Sequence, residues 1–283
     1  MLQSGAASQP GTVEAAGRPP LASGRVAAQR LRAMGDAILP FAVVGAAWEL
    51  FARLGPFPPK LFPSLVTVGR TFVDLAGSGI LLAHAQGTIV RLVLGFALAA
   101  VLGVAVGIAM GRYRSAEEVL LPLVSLGSPI PGLAYAPLFI LWFRLGNLPA
   151  VLLVGLASSF PAAANTWTGV KSVKEIWIRA AQGMGAREDR LFRTVILPGA
   201  LPYILTGLRL ALAQAWRVLV AAEMLTSVPQ GLGWLIFGAR EFLNTDVMLA
   251  GIAVIGIIGL ALERLVFARL ERFTVVRWGM LQS

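Results

Sequence analysis

KSVKEIWIRAAQGMGAREDRLFRTVILPGALP, residues 171–202, is unlike the rest of the chain. From 145 to 170 no residue is charged; then Lys171, Lys174, Glu175, Arg179, Arg187, Glu188, Asp189, Arg190 and Arg193 crowd into one segment before the chain turns apolar again. A segment this polar between two long apolar runs lies in water. Within it Ile176, Ala180 and Gly183, with Trp177, Ala181 and Met184 beside them, recur at the i, i+4, i+7 spacing of a short helix. Gly183 and Gly185 interrupt that helix, and Pro198 and Pro202 mark the return to an apolar one. The small side chains of Ala180, Ala181, Gly183 and Gly185 let another surface approach the backbone closely. The segment therefore reads as a docking element; an ordinary basic loop between spans is the plainer alternative.

The composition sets the surroundings. Of 283 residues 57% are hydrophobic and only 13% charged, whereas soluble domains carry about 25% charge. A water-soluble globule is excluded. The formal net charge is +10, but the basic residues sit in short segments between apolar runs, which points to membrane topology and lipid rather than nucleic acid. The chain has no Cys, hence no thiolate metal site and no Cys nucleophile. Its one His, His84, stands at the start of an apolar run, where a packed or interfacial role is the simplest reading. Neither HExxH nor GxxxxGK[ST] occurs, so the chain encodes no zinc peptidase and no phosphate-binding loop. No catalytic residue, metal site or cofactor is expected in it.

The apolar runs predict an all-α integral membrane protein with six transmembrane helices, since about 20 apolar residues suffice to cross. The spans fall at 37–53, 84–111, 119–143, 148–170, 200–225 and 247–262, the last extending to 267. Residues 1–36 read as a disordered cytoplasmic tail, 80–267 as the core with the docking loop at 171–198, and 268–283 as a second cytoplasmic tail. Residues 65–82 are amphipathic and suit the outer interface. The third run carries Pro122, Pro129, Pro131 and Pro137; the carbonyls that proline frees cannot be met by lipid, so this run must be buried in protein or line a wet cavity. With both termini inside, sixteen Lys and Arg fall on the cytoplasmic side and four on the outer side, the bias that favours the N-in, C-in orientation.

Polar groups inside the spans are the candidates for a translocation path: Pro129 and Pro131 of the broken run, Asn165, and Arg209, Trp216, Arg217 and Glu223 of the fifth span. On an ideal helix Arg217 lies about 80° to one side of Arg209 and Glu223 about 40° to the other, so the three share a broad face. They are too far apart to pair along the helix, roughly 12 Å and 21 Å from Arg209. Charges at membrane depth are costly unless paired or hydrated. Either this face lines the path and favours an anion, or the charges are structural ion pairs with other helices.

The 171–202 segment resembles the coupling loop of ABC importer permeases. The matching residues are Ala180-Ala181, Gly185 after three residues, Val195 after nine more, and Leu197-Pro198; Arg179 stands where that motif has Glu. PLFILWFRLGN, NTWTGVKSV, ILPGALPYILTGLRLALAQAW, VAAEML and AREFLNTD, in this order, are similar to the nitrate/sulfonate/taurine group of these permeases. The resemblance implies a type I ABC importer permease fold in the inner membrane of a prokaryote. It also implies a second permease copy as homodimer partner, two ATP-binding cassette subunits carrying ATP and Mg, and an extracytoplasmic binding protein delivering a small anionic solute. In that setting Arg179, Ala180, Ala181, Gly185, Val195, Leu197 and Pro198 form the ATPase-coupling loop. An ion-gradient-driven secondary transporter is the alternative, but it would show paired interrupted helices in two related halves; only one span here is broken by proline. An integral-membrane enzyme lacks paired carboxylates, His or Cys at a shared depth.

Overall fold

The computed structural model describes residues 23–267, and every regular element among them is helical. The chain divides into two units, Met1–Leu54 and Gly55–Ser283. The first contributes helix α1 (Ser23–Leu54), with Pro40 inside it and an Arg53–Glu49 ion pair at 2.6 Å. The expected first span, 37–53, lies within this helix, whose backbone is already helical from Ser23. Residues 1–22 and 268–283, the rest of the two expected tails, lie outside the described residues.

The second unit begins with a Pro-rich loop and the amphipathic helix α2 (Leu65–Gly77), whose N-terminus is capped by Ser64 Oγ accepting the Thr67 N–H at 3.2 Å. Then follow α3 (Ile80–Arg112), α4 (Arg114–Gly127), α5 (Ala136–Phe143), α6 (Asn147–Lys171), α7 (Glu175–Gly183), α8 (Glu188–Leu191), α9 (Leu197–Leu225), α10 (Leu232–Glu241) and α11 (Thr245–Ala261). Among the described residues four helical stretches are long and apolar enough to cross a membrane: 80–112, 147–171, 188–225 and 245–265. The broken third run makes a fifth if its two limbs, 114–127 and 132–143, which meet at 97°, are one span.

Prolines shape the broken run as expected. Pro129 and Pro131 interrupt the helix, and a 3₁₀ turn at Gly132–Tyr135 leads into α5. The break sits on protein: a Cβ at Gly132 would lie 2.7 Å from Ala157 Cβ and 3.0 Å from a Val218 methyl. Pro129 and Pro131 themselves are exposed in the single chain.

Helices α3, α6 and α9 form the centre, with Leu92, Leu153, Val154, Leu212 and Leu219 buried between them. Since lipid tails are as apolar as leucine, membrane helices gain little by burying large side chains and associate through close backbone packing. The seam of α3 shows this. Gly95, Ala99, Gly103, Gly107 and Gly111 recur every fourth residue, and a Cβ on Gly103 or Gly107 would stand 2.5 Å from Ala162 Cβ or Thr166 Cβ of α6. The repeat went unread in the sequence because all of it lies within an apolar run. On the other side of α6, Gly169 receives Tyr203 and Gly207 receives Asn165, bringing α9 equally close.

Candidate functional site

The charged segment folds as expected around a short helix, α7, one side of which is anchored. Val173 just before it, Ala181 within it and Leu191 after it are buried. The opposite side is apolar yet uncovered: Ile176 is 69% exposed, Trp177 53% and Met184 82%. With Ala180 and Gly183 they fall within about 120° of arc. Arg179 lies off this face and pairs with Glu175 one turn back at 2.7 Å, both side chains largely in solvent. Gly185 has a role that its small size alone did not disclose. Its φ is +81°, the left-handed conformation that ends a helix. Its N–H donates to Gln182 O at 2.9 Å while Ala186 N–H donates to Ala181 O at 3.0 Å, the paired bonds of a Schellman motif.

The segment is fastened at two points. Arg112, ending α3, reaches Glu188 at 3.4 Å and Asp189 at 3.8 Å, and its guanidinium lies over the rings of Tyr113 and Phe192 at 5.4 and 5.2 Å. Glu117 of α4 accepts from Lys171 Nζ at 2.6 Å and from Trp167 Nε1 at 3.1 Å, joining α4 to the end of α6. Beyond α8 the chain stays helical. A π turn, Phe192–Ile196, holds Val195, and Leu197 and Pro198 occupy the first turn of α9. Residues 188–225 thus form one continuous helical stretch of 38 residues, so a force applied near Glu188 is delivered along α9.

The charges of α9 do not act as one group. Glu223 is 0% exposed, whereas Arg209 and Arg217 are exposed. Six residues separate Arg217 from Glu223, about 120° around the axis, enough to put one outside and the other within the bundle. Glu223 is held by a network that spacing could not show. Arg91 of α3 donates to its Oε1 from Nε at 3.0 Å and from Nη2 at 2.7 Å, Thr88 Oγ1 donates to Oε2 at 3.0 Å, and so does the Gly233 N–H at 3.0 Å. Arg91 also donates to Asn147 Oδ1 at 2.8 Å and to the Gln230 carbonyl. Leu232 N–H donates to Thr88 Oγ1 at 2.9 Å, and Gly231 N–H to His84 Nδ1 at 3.0 Å. The network ties α3, α6, α9 and α10 together at the end of the bundle opposite the charged loop.

The comparisons with known proteins bear on this architecture. Residues 99–273 match the family described as binding-protein-dependent transport system inner membrane component. The chain belongs to this family. The permease is 42% identical over 227 residues to the taurine transport system permease protein TauC of Escherichia coli, covering 78% of this chain and 82% of that one. It is 37% identical over 237 residues to the putative aliphatic sulfonates transport permease protein SsuC of Bacillus subtilis, covering 84% and 85%. Among solved structures it resembles a chain of the MetNI methionine ABC transporter in an inward-facing conformation, with a TM-score of 0.61 and 17% identity over 69% of this chain and 96% of that one. That likeness establishes the type I ABC importer permease fold. The permease is accordingly a transmembrane transport component and not an enzyme, and its family works with ATP-hydrolysing and substrate-binding partners.

Seen in the permease, the remaining path candidates separate. Asn165 is half-buried and turns inward on its own helix, donating from Nδ2 to the Pro161 carbonyl at 2.8 Å. Trp216 packs partly against the core in a space left by Gly259 of α11. Arg209 lies 3.7 Å from Glu263. Sequence reasoning missed Thr88 and Arg91 as partners of Glu223, and Asn147 as a partner of Arg91. Arg91, a charge within a long apolar run, was the available signal.

Proposed function

We propose that this permease forms half of the transmembrane pathway of an ATP-driven importer for small sulfonate-like anions. Its partners are a second copy of itself, two ATPase subunits that hold ATP and Mg, and an extracytoplasmic binding protein. The fold then has six spans, α1 supplying the first, with both termini and α7 on the cytoplasmic side and the core over 80–267. The observation that carries the reading is the uncovered apolar face of α7, set in a charged segment and followed, after the turn at Gly185, by the continuous helical stretch 188–225 that contains α9. A rigid knob of Ile176, Trp177, Ala180 and Met184 seats in a groove of the ATPase, and closure of the ATPases moves α9. The taurine and sulfonate names of the relatives support the substrate class.

Because the chain has no Cys, single cysteines report without background. Ala180→Cys and Ile176→Cys in the assembled complex are expected to crosslink to the ATPase through a short linker carrying a maleimide for the new thiol and a photoreactive diazirine that inserts into whatever surface lies against it. Absence of that product from an intact, co-purifying complex would remove α7 as the docking element. Native mass measurement is expected to give equal numbers of permease and ATPase chains; a 1:2 ratio would exclude the dimer.

A further inference from the structure

We infer that Arg217 and the groove beside it form an oxyanion-binding subsite inside the membrane-spanning part of the permease. The inference rests on the importer reading and extends it to the residue that contacts the anion. A groove of about 460 Å³ runs between α9 and α11, lined among others by Arg209, Ala213, Trp216, Arg217, Ile255 and Glu263. Arg217 is eight residues from the Leu225 end of α9, about 12 Å along the axis, and so lies within a hydrocarbon layer roughly 30 Å thick.

The distribution of charge singles it out. Arg209 faces Glu263 at 3.7 Å. Glu223 is taken by Arg91 at 2.7 Å, and Asp246 at the start of α11 accepts from Thr71 at 2.6 Å. Arg217 has one described hydrogen bond, to the neutral Gln214 Oε1 at 3.4 Å. Among the described residues no carboxylate lies within 4.0 Å of it. Glu263, the acid that lines the groove, is engaged by Arg209 rather than by Arg217. An uncompensated guanidinium at this depth is too costly to lie against lipid chains and faces water or an anion. Its planar fork matches two oxygens of a sulfonate, carboxylate or phosphate, and Trp216 and Ile255 offer an apolar wall to a short organic tail. The same oxyanion chemistry could come from the transported solute or from a lipid headgroup met by the side chain stretching toward the interface.

The test uses the complete importer in phosphatidylcholine vesicles, with Trp216 fluorescence isolated as the difference from a Trp216→Phe complex. Iodide, an anionic quencher, is expected to quench Trp216, and Arg217→Gln to lower its quenching constant roughly threefold, with Arg217→Lys retaining most of it. Phosphatidylcholine carrying a nitroxide on its acyl chain is expected to quench weakly. The opposite pattern, nitroxide quenching with iodide ineffective and no response to Arg217→Gln, places the side chain against lipid and overturns the inference. ATP-driven uptake of labelled taurine is expected to fall roughly tenfold in Arg217→Gln. Failure of the parent complex to take up taurine would count against the sulfonate reading alone; the iodide result would still decide the subsite.

Discussion

Truncating Glu223 should be among the most damaging single changes in this permease. Its carboxylate accepts four hydrogen bonds, two from Arg91, one from Thr88 and one from the Gly233 N–H. In Glu223→Ala the guanidinium of Arg91 stays buried without its counter-charge, and the Gly233 N–H and Thr88 hydroxyl lose an acceptor. Removing one partner of a buried pair costs about 3–5 kcal/mol, mostly the price of the charge left behind. Gly231 and Gly233 pack directly against Glu223, a Cβ at Gly231 lying 2.7 Å from its Cδ, so truncation also leaves a cavity that adds to the loss. Glu223→Gln keeps the shape and one acceptor but turns amide hydrogens toward a cation, so an intermediate loss of about 2 kcal/mol is expected. Arg91→Met combined with Glu223→Leu removes both charges and should cost clearly less than the two single losses added together. Reversible unfolding titrations in mixed micelles would measure the parent, Glu223→Ala, Glu223→Gln, the double variant and its two component single changes, Arg91→Met and Glu223→Leu. A loss below about 1 kcal/mol in Glu223→Ala, or strictly additive single effects, would refute the argument that this is a coupled, sealed pair.

Three further outcomes are expected. Gly185→Ala forces a side chain into the left-handed region at a cost of roughly 1–2 kcal/mol, with Gly185→Asn milder; hydrogen exchange of the Gly185 and Ala186 amides should quicken in that order, and unchanged exchange would discount the Schellman closure. Gly107→Leu places atoms where Thr166 and the Ala163 carbonyl already stand, so about 1–3 kcal/mol or more should be lost, whereas Gly256→Ala, with open space around it, should leave unfolding nearly unchanged; equal effects would argue against the close seam. Arg179→Glu sets two like charges one turn apart with Glu175, but on exposed side chains it should alter helix stability by less than about 0.5 kcal/mol; a large drop in ATPase co-purification would then assign position 179 to the contact itself.

Period and composition carried much of this protein. Long uncharged runs can only be helices in lipid, because each backbone polar group must be met within its own segment. For the same reason Pro129 and Pro131 announced a break. The charged segment declared itself by contrast, and its short helix by the i, i+4, i+7 spacing of Ile176, Ala180 and Gly183. Spacing also placed Arg209, Arg217 and Glu223 on neighbouring sides of one helix. It could not say which of them faced inward, since that depends on the helices packed around α9. Arg91 lies 132 residues from Glu223 in the chain, and no local pattern encodes such a pairing. The four-residue repeat of α3 was hidden for a related reason: within an apolar run, glycine and alanine read as generic until a neighbouring backbone shows why no larger side chain fits. Gly185 was conspicuous as a small residue in the motif, but its left-handed φ and the two bonds closing over it exist only once the chain has folded back at the end of α7.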